Sequence, residues 1–389
     1  MTELLTSVRE EVVQLLTRLV SIESVNPYFP GGNRGEAGMA EFVSDYCRKL
    51  GLPVSLTEVL PGRPNVLAEL RVPGATRTLL FDSHMDTVSL DQMGLAGLQP
   101  TERDGILTGR GSCDDKASLA AMLIALARLA RKPDGLRANV LLLASADEEY
   151  LMRGAQAFAT SGRTIHGAIV GEPTGLEVVV AHKGFVRWKL HTVGSSAHSS
   201  NPERGNNAIY QMAELIHRLR PVMDQQLAPK EHPLVGPATW SIGKISGGAS
   251  VNIVPDRCTV EIDRRLLPGE TGEQALANFD AGVAGICAEW PDLQVARDEP
   301  FGNVAGLDTP ATADVVRALQ QATGEIRGEA RLRGVAYGTN ASKFAAAGIE
   351  CVVFGPGDIR QAHTADEYVA IDQVVDAARI LEAAARAFA

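Results

Sequence analysis

Cysteine is sparse in this chain, and nothing in its placement makes a framework. Cys47, Cys113, Cys258, Cys287 and Cys351 are scattered through 389 residues, odd in number and without a C-x-x-C pair. That argues against a disulfide scaffold and for a reduced, cytoplasmic protein. Runs of Lys and Arg are also missing, and the net charge is −10, which argues against a nucleic-acid or membrane-surface role. No apolar run is long enough to span a bilayer. The opening stretch MTELLTSVREEVVQLL is amphipathic and lacks the apolar centre of a signal peptide. Internal repeats and low-complexity tracts are absent too.

What the chain does have is size. Its 389 residues exceed what one hydrophobic core usually organises, so two domains are expected. Hydrophobic residues at 45% and charged residues at 22% are the profile of a soluble globular protein.

The rest is organised around Leu79 to Val88, LLFDSHMDTV. Leu79-Leu80-Phe81 reads as a buried strand that delivers His84 and Asp86 into a loop at its carboxyl end, where ligands gather in α/β sheets. Residues two apart in an extended chain point the same way, so Asp86 can hold the second nitrogen of a zinc-binding His84. Upstream, residues 4–20 have Leu5, Val8, Val12, Leu15, Leu16 and Leu19 on one helical face, and residues 36–50 make a second helix. Strands are expected at 65–70 and 78–81. Gly109-Arg110-Gly111-Ser112-Cys113-Asp114-Asp115-Lys116 makes a turn before a helix at 117–129. Asp114 there is either a helix cap or, with its two oxygens, a bridge between metals.

Two further apolar strands end in acids. Residues 139–146 run into Asp147-Glu148-Glu149, and 168–170 run into Gly171-Glu172-Pro173-Thr174. From about residue 181 the order changes to strand 185–193, helix 206–220, strands 239–245 and 258–267, helix 271–290 and strand 293–296. That β-α-β-β-α-β order is the ferredoxin-like pattern and marks an inserted domain. A helix at 310–322, capped by Thr309 with Pro310 at its first position, a strand at 349–354 and a helix at 372–387 complete the split core. His363 follows the 349–354 strand.

His84, Asp114, Glu149, Glu172 and His363 therefore collect at strand ends, with Glu148 beside them. Two histidines and three carboxylates exceed one tetrahedral zinc and suit two metals that share a carboxylate. Glu148 is then free to move a proton from water to the leaving nitrogen.

The motifs H-x-D, G-x-G-x-x-D-D-K, D-E-E, G-E-P-T and A-H-x-x-D-E-Y occur in that order along nearly the whole chain. They resemble the family of two-zinc hydrolases that contains acetylornithine deacetylase, succinyl-diaminopimelate desuccinylase, aminoacylase and glutamate carboxypeptidase. Within it, His182-Lys183-Gly184 and residues 197–209 and 355–368 look most like acetylornithine deacetylase. The resemblance implies that His84 and Glu172 hold one metal, Glu149 and His363 the other, and that Asp114 bridges them. It further implies that Asp86 orients His84, that Glu148 is the general base and that His198 stabilises an oxyanion. Asn252 and Arg265 would bind a substrate carboxylate.

The expected fold is α/β: a catalytic domain with a central mixed sheet, residues 1–180 and 298–389, and a ferredoxin-like lid at 181–297 that pairs two copies into a homodimer. The expected cofactors are two divalent ions, zinc with cobalt or manganese as substitutes, and the substrate is a small N-acyl amino acid or dipeptide. The leading reading is removal of an acetyl group from an N-acyl amino acid. Dipeptidase, carboxypeptidase or desuccinylase activity is the alternative, and a non-catalytic binding protein on the same fold is the remote one. Asn340, where the family commonly has an acid, weighs against a substrate with a cationic side chain such as ornithine.

Overall fold

The computed structural model describes residues 2–91 and 93–389, the first six of these as backbone alone. The side chain of Leu5 thus lies outside the described residues, while Val8, Val12, Leu16 and Leu19 of the helix Thr2–Val20 are buried as expected. The chain forms two compact units. The first comprises Met1–Val180, Thr309–Arg333 and Thr339–Ala389; the second comprises Ala181–Asp308 and Gly334–Gly338.

The first unit is built on a mixed sheet. Its strands lie in the order Val54–Leu60, Arg63–Leu70, Ala138–Ser145, Arg77–His84, Gly167–Val170, Cys351–Val353 and Val178–His182. Four neighbours in the middle, from Ala138–Ser145 to Cys351–Val353, are mutually parallel. Arg77–His84 and Ala138–Ser145 are buried along most of their length, which is why they read as apolar runs rather than alternating ones. The helix Lys116–Arg131 is apolar nearly all round. It packs on these two strands and is covered by Thr2–Val20 and Ile371–Ala387, so all but a few of its residues are buried. Strand Val54–Leu60 was not expected; most of its residues are exposed, so it carries no apolar signature.

Parallel strands share one direction, so all four carboxyl ends open at one edge of the sheet. That edge is where His84, Glu148 and Glu149, Glu172 and the loop to His363 emerge.

In the second unit Gly184–Val193 pairs antiparallel with Arg257–Leu266, which pairs with Thr239–Gly247 at the sheet edge. Val295–Arg297 and Gly302–Val304 both pair with Gly184–Val193. The helices Ala208–Leu227 and Gly272–Glu289 bury their apolar faces on Val186, Trp188, Leu190, Val260 and Ile262. Trp188 meets Phe279 edge to face, with centroids 4.8 Å apart. Thr271 caps the second helix in a full capping box with Gln274.

Three boundaries differ from expectation. The second unit runs on to Asp308, because Gly302–Val304 adds another strand to its sheet. The helix expected at 206–220 continues to Leu227 through Pro221, since Met223 and Leu227 extend its buried stripe beyond the proline. The helix expected at 310–322 with Thr309 as cap is instead Asp314–Arg327. Thr309 donates its backbone N–H to Val180, and Pro310 accepts from Ala313 in a turn, so helical geometry begins only after Ala313. Gly328 in the left-handed region then ends it.

Candidate metal centre

His84 is the last residue of its strand and is 2% exposed. Its Nδ1 lies 3.0 Å from the backbone carbonyl of Asp86, which sets the tautomer and leaves Nε2 to face the carboxylates. That Nε2 stands 3.0 Å from Oδ1 of Asp114. On the other side of the same carboxylate, Oδ2 stands 3.3 Å from Nε2 of His363. His363 is half exposed and also lies 3.1 Å from Oε2 of Glu149. Asp114 thus offers one oxygen to each histidine. Two groups of donor atoms result, each within 4.8 Å: His84, Asp114 and Glu172, and Asp114, Glu149 and His363.

Asp114 is not a helix cap. The helix Lys116–Arg131 begins after Asp115, and no side chain caps it. Glu172 follows the Gly167–Val170 strand after Gly171, where a Cβ would come within 2.6 Å of Oδ2 of Asp115. Only glycine lets the backbone pass so close to the aspartates.

The electrostatics call for positive charge. Burial pushes Glu172 and Glu148 well above the ordinary carboxylate range, and neighbouring carboxylates push further. Glu149 is raised by the same two causes. Hydrogen bonds that His363 donates to the Asp114 and Glu149 carboxylates raise the imidazole to about 11. Burial would lower His84, but Asp114 and Asp86 more than offset it and hold the imidazole well above its usual range. Imidazole nitrogens and carboxylate oxygens, without a thiolate among them, are a donor set that fits two divalent ions.

Asp147, Glu148 and Glu149 do not face one another as three repelling acids. Asp147 takes the left-handed backbone region, at φ 68°, and turns its side chain toward Arg63 and Asn26 at 3.0 and 3.1 Å. Arg63 grips Glu36 with two hydrogen bonds at 2.5 and 2.6 Å. Asp86 accepts the backbone N–H of both Glu148 and Glu149 at 3.1 Å, and the Asn26 amide at 2.8 Å. The turn bearing the two glutamates is thereby set by buried charges behind it.

In the second unit His198 is exposed. Its Nδ1 accepts the backbone N–H of Ser200 at 3.1 Å, so the neutral ring carries its proton on Nε2. Asn252 lies on the adjoining loop, where its backbone carbonyl accepts from Ser199 and its Oδ1 accepts the Ser250 hydroxyl at 2.6 Å. Arg265 stands on the sheet face away from the two helices, beside Phe185, with Nε 2.8 Å from Asp263. Arg264, on the opposite face, is buried and bound to Glu270.

Residues 80–387 match the family model of Peptidase family M20/M25/M40. The chain belongs to this family. It is 33% identical to the acetylornithine deacetylase of Myxococcus xanthus over 83% of this chain and 84% of that one. It is 32% identical to the acetylornithine deacetylase of Photorhabdus laumondii over 92% of each. Among solved structures, the aminopeptidase PepT of Bacillus cereus superposes with a TM-score of 0.78 at 23% identity, over 98% of both chains. Human carnosine dipeptidase 1 superposes at 0.77 and 15% identity, over 99% of this chain and 97% of that one. As an M20 protein the chain is a metal-dependent hydrolase acting on amide bonds.

Against that M20 background, Asn340 bears on the core rather than on a ligand. It is 1% exposed, and its amide donates to Asp82 and to Ser145 at 3.0 Å each. Sequence reading also passed over Asn26, Glu36 and Arg63, which support the glutamate turn, and Glu367. Asn26 lies between the two expected N-terminal helices, and Glu36 at the start of the second. Only Glu367 had a signal, in the A-H-x-x-D-E-Y motif.

Proposed function

We propose that this chain is an N-acyl amino acid deacetylase, cleaving the amide between an acetyl group and an amino acid. The observation that carries the reading is Asp114, whose two oxygens face His84 and His363 separately. The acetyl group and the amino-acid product rest on the names of the relatives at 32–33% identity. In this reading His84 and Glu172 hold one ion, Glu149 and His363 the other, and Asp114 is shared. Two divalent ions there, zinc or its substitutes cobalt and manganese, supply Lewis acidity toward the carbonyl and lower the pKa of water.

The chain's own residues do the rest. Asp86 orients His84 and also fixes the backbone of Glu148. Glu148 takes the proton of the attacking water and passes it to the amide nitrogen as the C–N bond breaks, releasing acetate and the free amino acid. Its raised proton affinity, caused by burial, suits a group that must both accept and return a proton. His198 donates Nε2–H to the carbonyl oxygen as charge develops. Arg265 and Asn252 take the substrate's carboxylate, with the guanidinium matching it by two parallel bonds.

The second unit is read as a lid and dimerisation domain. Thr239–Gly247 is a sheet edge with no further strand on it among the described residues, and Ile245, Val251, Ile253 and Tyr210 are exposed in the same unit, a surface suited to a second copy. A reduced, cytoplasmic setting completes the reading; all five cysteines are free. No helix among the described residues is long and apolar enough to cross a membrane.

The test is a hydrolysis screen with zinc or cobalt supplied, using N-acetyl and N-succinyl amino acids, N-acetylornithine among them, and dipeptides. Fastest turnover of acetylated amino acids upholds the reading. Fastest turnover of dipeptides or succinylated substrates would move the enzyme to the peptidase or desuccinylase branch.

A further inference from the structure

Glu367 is an acid in the core of the first unit, 1% exposed, with no part in the mechanism above. Four donors close on its carboxylate. Oε1 accepts the backbone N–H groups of Cys113 and Asp114 at 2.9 and 3.0 Å. Oε2 accepts the N–H of Gly111 at 3.0 Å and Nη1 of Arg110 at 2.7 Å. Its backbone carbonyl also accepts from Gly109 at 3.1 Å and from the Ser112 hydroxyl at 3.2 Å. Gly111 must be glycine for this path: its φ is +78°, and a Cβ would meet Thr87 at 2.8 Å.

Backbone N–H groups that converge in this manner form an anion-binding nest, and here the anion is the chain's own carboxylate. One of the donors is the amide of Asp114 itself. Glu367 lies four residues beyond His363, so a single carboxylate ties the histidine's loop to the loop of the shared aspartate. An empty nest would leave three buried N–H groups and Nη1 of Arg110 without this acceptor, although Nε of Arg110 keeps its bond to the Ser89 carbonyl, and the loop would relax to find others.

We infer that Glu367 is a positioning residue for the metal centre, holding Asp114 so that each oxygen faces a different histidine and keeping the His363 loop in register with it. The inference rests on the two-ion reading of the centre but not on the identity of the substrate. Both residues that Glu367 links belong to the ion held by Glu149 and His363, so that ion should suffer more than the one held by His84 and Glu172.

The experiment is equilibrium binding of Co(II) to metal-free protein, followed by absorption, for the parent and Glu367→Ala, with and without formate. The expected result is two tight ions in the parent. In the variant the second ion is weaker by about 10–100-fold, the usual cost of losing an outer support, and the first ion is weakened less. Formate can fill the vacated nest and should restore the second ion toward the parent value in the variant while leaving the parent unchanged. A role in folding alone gives no formate dependence. Two parent-like affinities in Glu367→Ala overturn the inference, as does a weakened second ion that formate leaves unchanged in a protein folded by circular dichroism. If the alanine variant does not fold, Glu367→Gln, which turns an amide N–H₂ toward the donors, is titrated instead, and parent-like affinities there overturn the inference. A parent that binds one ion only overturns the two-ion reading along with it.

Discussion

Oδ1 of Asp86 accepts the backbone N–H of Glu148 at 3.1 Å, while the same carboxylate lies 3.5 Å from Nδ1 of His84. One buried acid therefore supports both a candidate ligand and the candidate base. Its second oxygen takes the N–H of Glu149 and the amide of Asn26, which satisfies it fully. Burial would raise Asp86, but its bonds to His84 and Asn26 keep its carboxyl below the ordinary range. It stays charged where charge is needed.

Asp86→Ala should lower metal affinity by about 10–100-fold and also misplace Glu148. Each buried N–H left without an acceptor costs about 1–3 kcal/mol, so the melting temperature should fall as well. Metal titration and thermal melts check both effects. Full metal affinity in a stable variant would remove the Asp86 carboxylate, though not its backbone carbonyl, from the support of His84.

Glu148→Ala should keep its metal content and lose turnover by at least about 10²–10⁴-fold, the usual contribution of a general base. Elemental analysis beside steady-state rates separates the two. A variant depleted of metal would exchange the roles of Glu148 and Glu149.

His198→Ala should retain both ions and lose about 10²–10³-fold in turnover as an oxyanion donor is removed. Because His198 lies in the second unit, the proposal is that it serves the partner subunit of a homodimer. Mixing His198→Ala with Glu148→Ala under subunit exchange would then rebuild one intact site per mixed dimer. Partial recovery of rate is the expected result. No recovery, with exchange verified by mass, would place His198 in its own subunit's site or outside catalysis.

Acid should destabilise the protein through His182. Burial holds this imidazole down at about 4, and its Nε2 has no partner among the described residues. The folded pKa lies below the unfolded value of about 6.5, so the unfolded chain binds a proton that the folded one refuses. Stability is then full above about pH 6.5, falls as the pH drops toward 4 and levels off below, with a total on the order of 3 kcal/mol. Melts of the parent and His182→Asn across that window should diverge, with the parent losing more. Parallel curves would show that His182 is protonated without penalty.

How far the chain could be read depended on the range of each interaction. His84, Glu149, Glu172 and His363 were legible because apolar strands announce themselves locally and the ligand-type residues come just after them. That these four strands run parallel came from their pairing in the folded sheet. The support of the glutamate turn was not legible. Asn26, Glu36 and Arg63 approach Asp86 and Asp147 across 60 to 121 residues of sequence, and no local pattern marks such a partner. Helix limits failed where a local signal competed with a distant one: Thr309-Pro310 looks like a cap, but the backbone of Thr309 is committed to Val180.

By itself the sequence determined most of the core elements in order, the apolar cores and the candidate ligand types, since these depend on periodicity and side-chain chemistry within a few residues. Only the tertiary structure decided that Asp114 faces two histidines at once, that Asn340 is enclosed against Asp82, and that Glu367 fills the loop beneath Asp114. Those relations join residues up to 258 positions apart, and they exist because burial leaves a polar group no partner but the one folding brings to it.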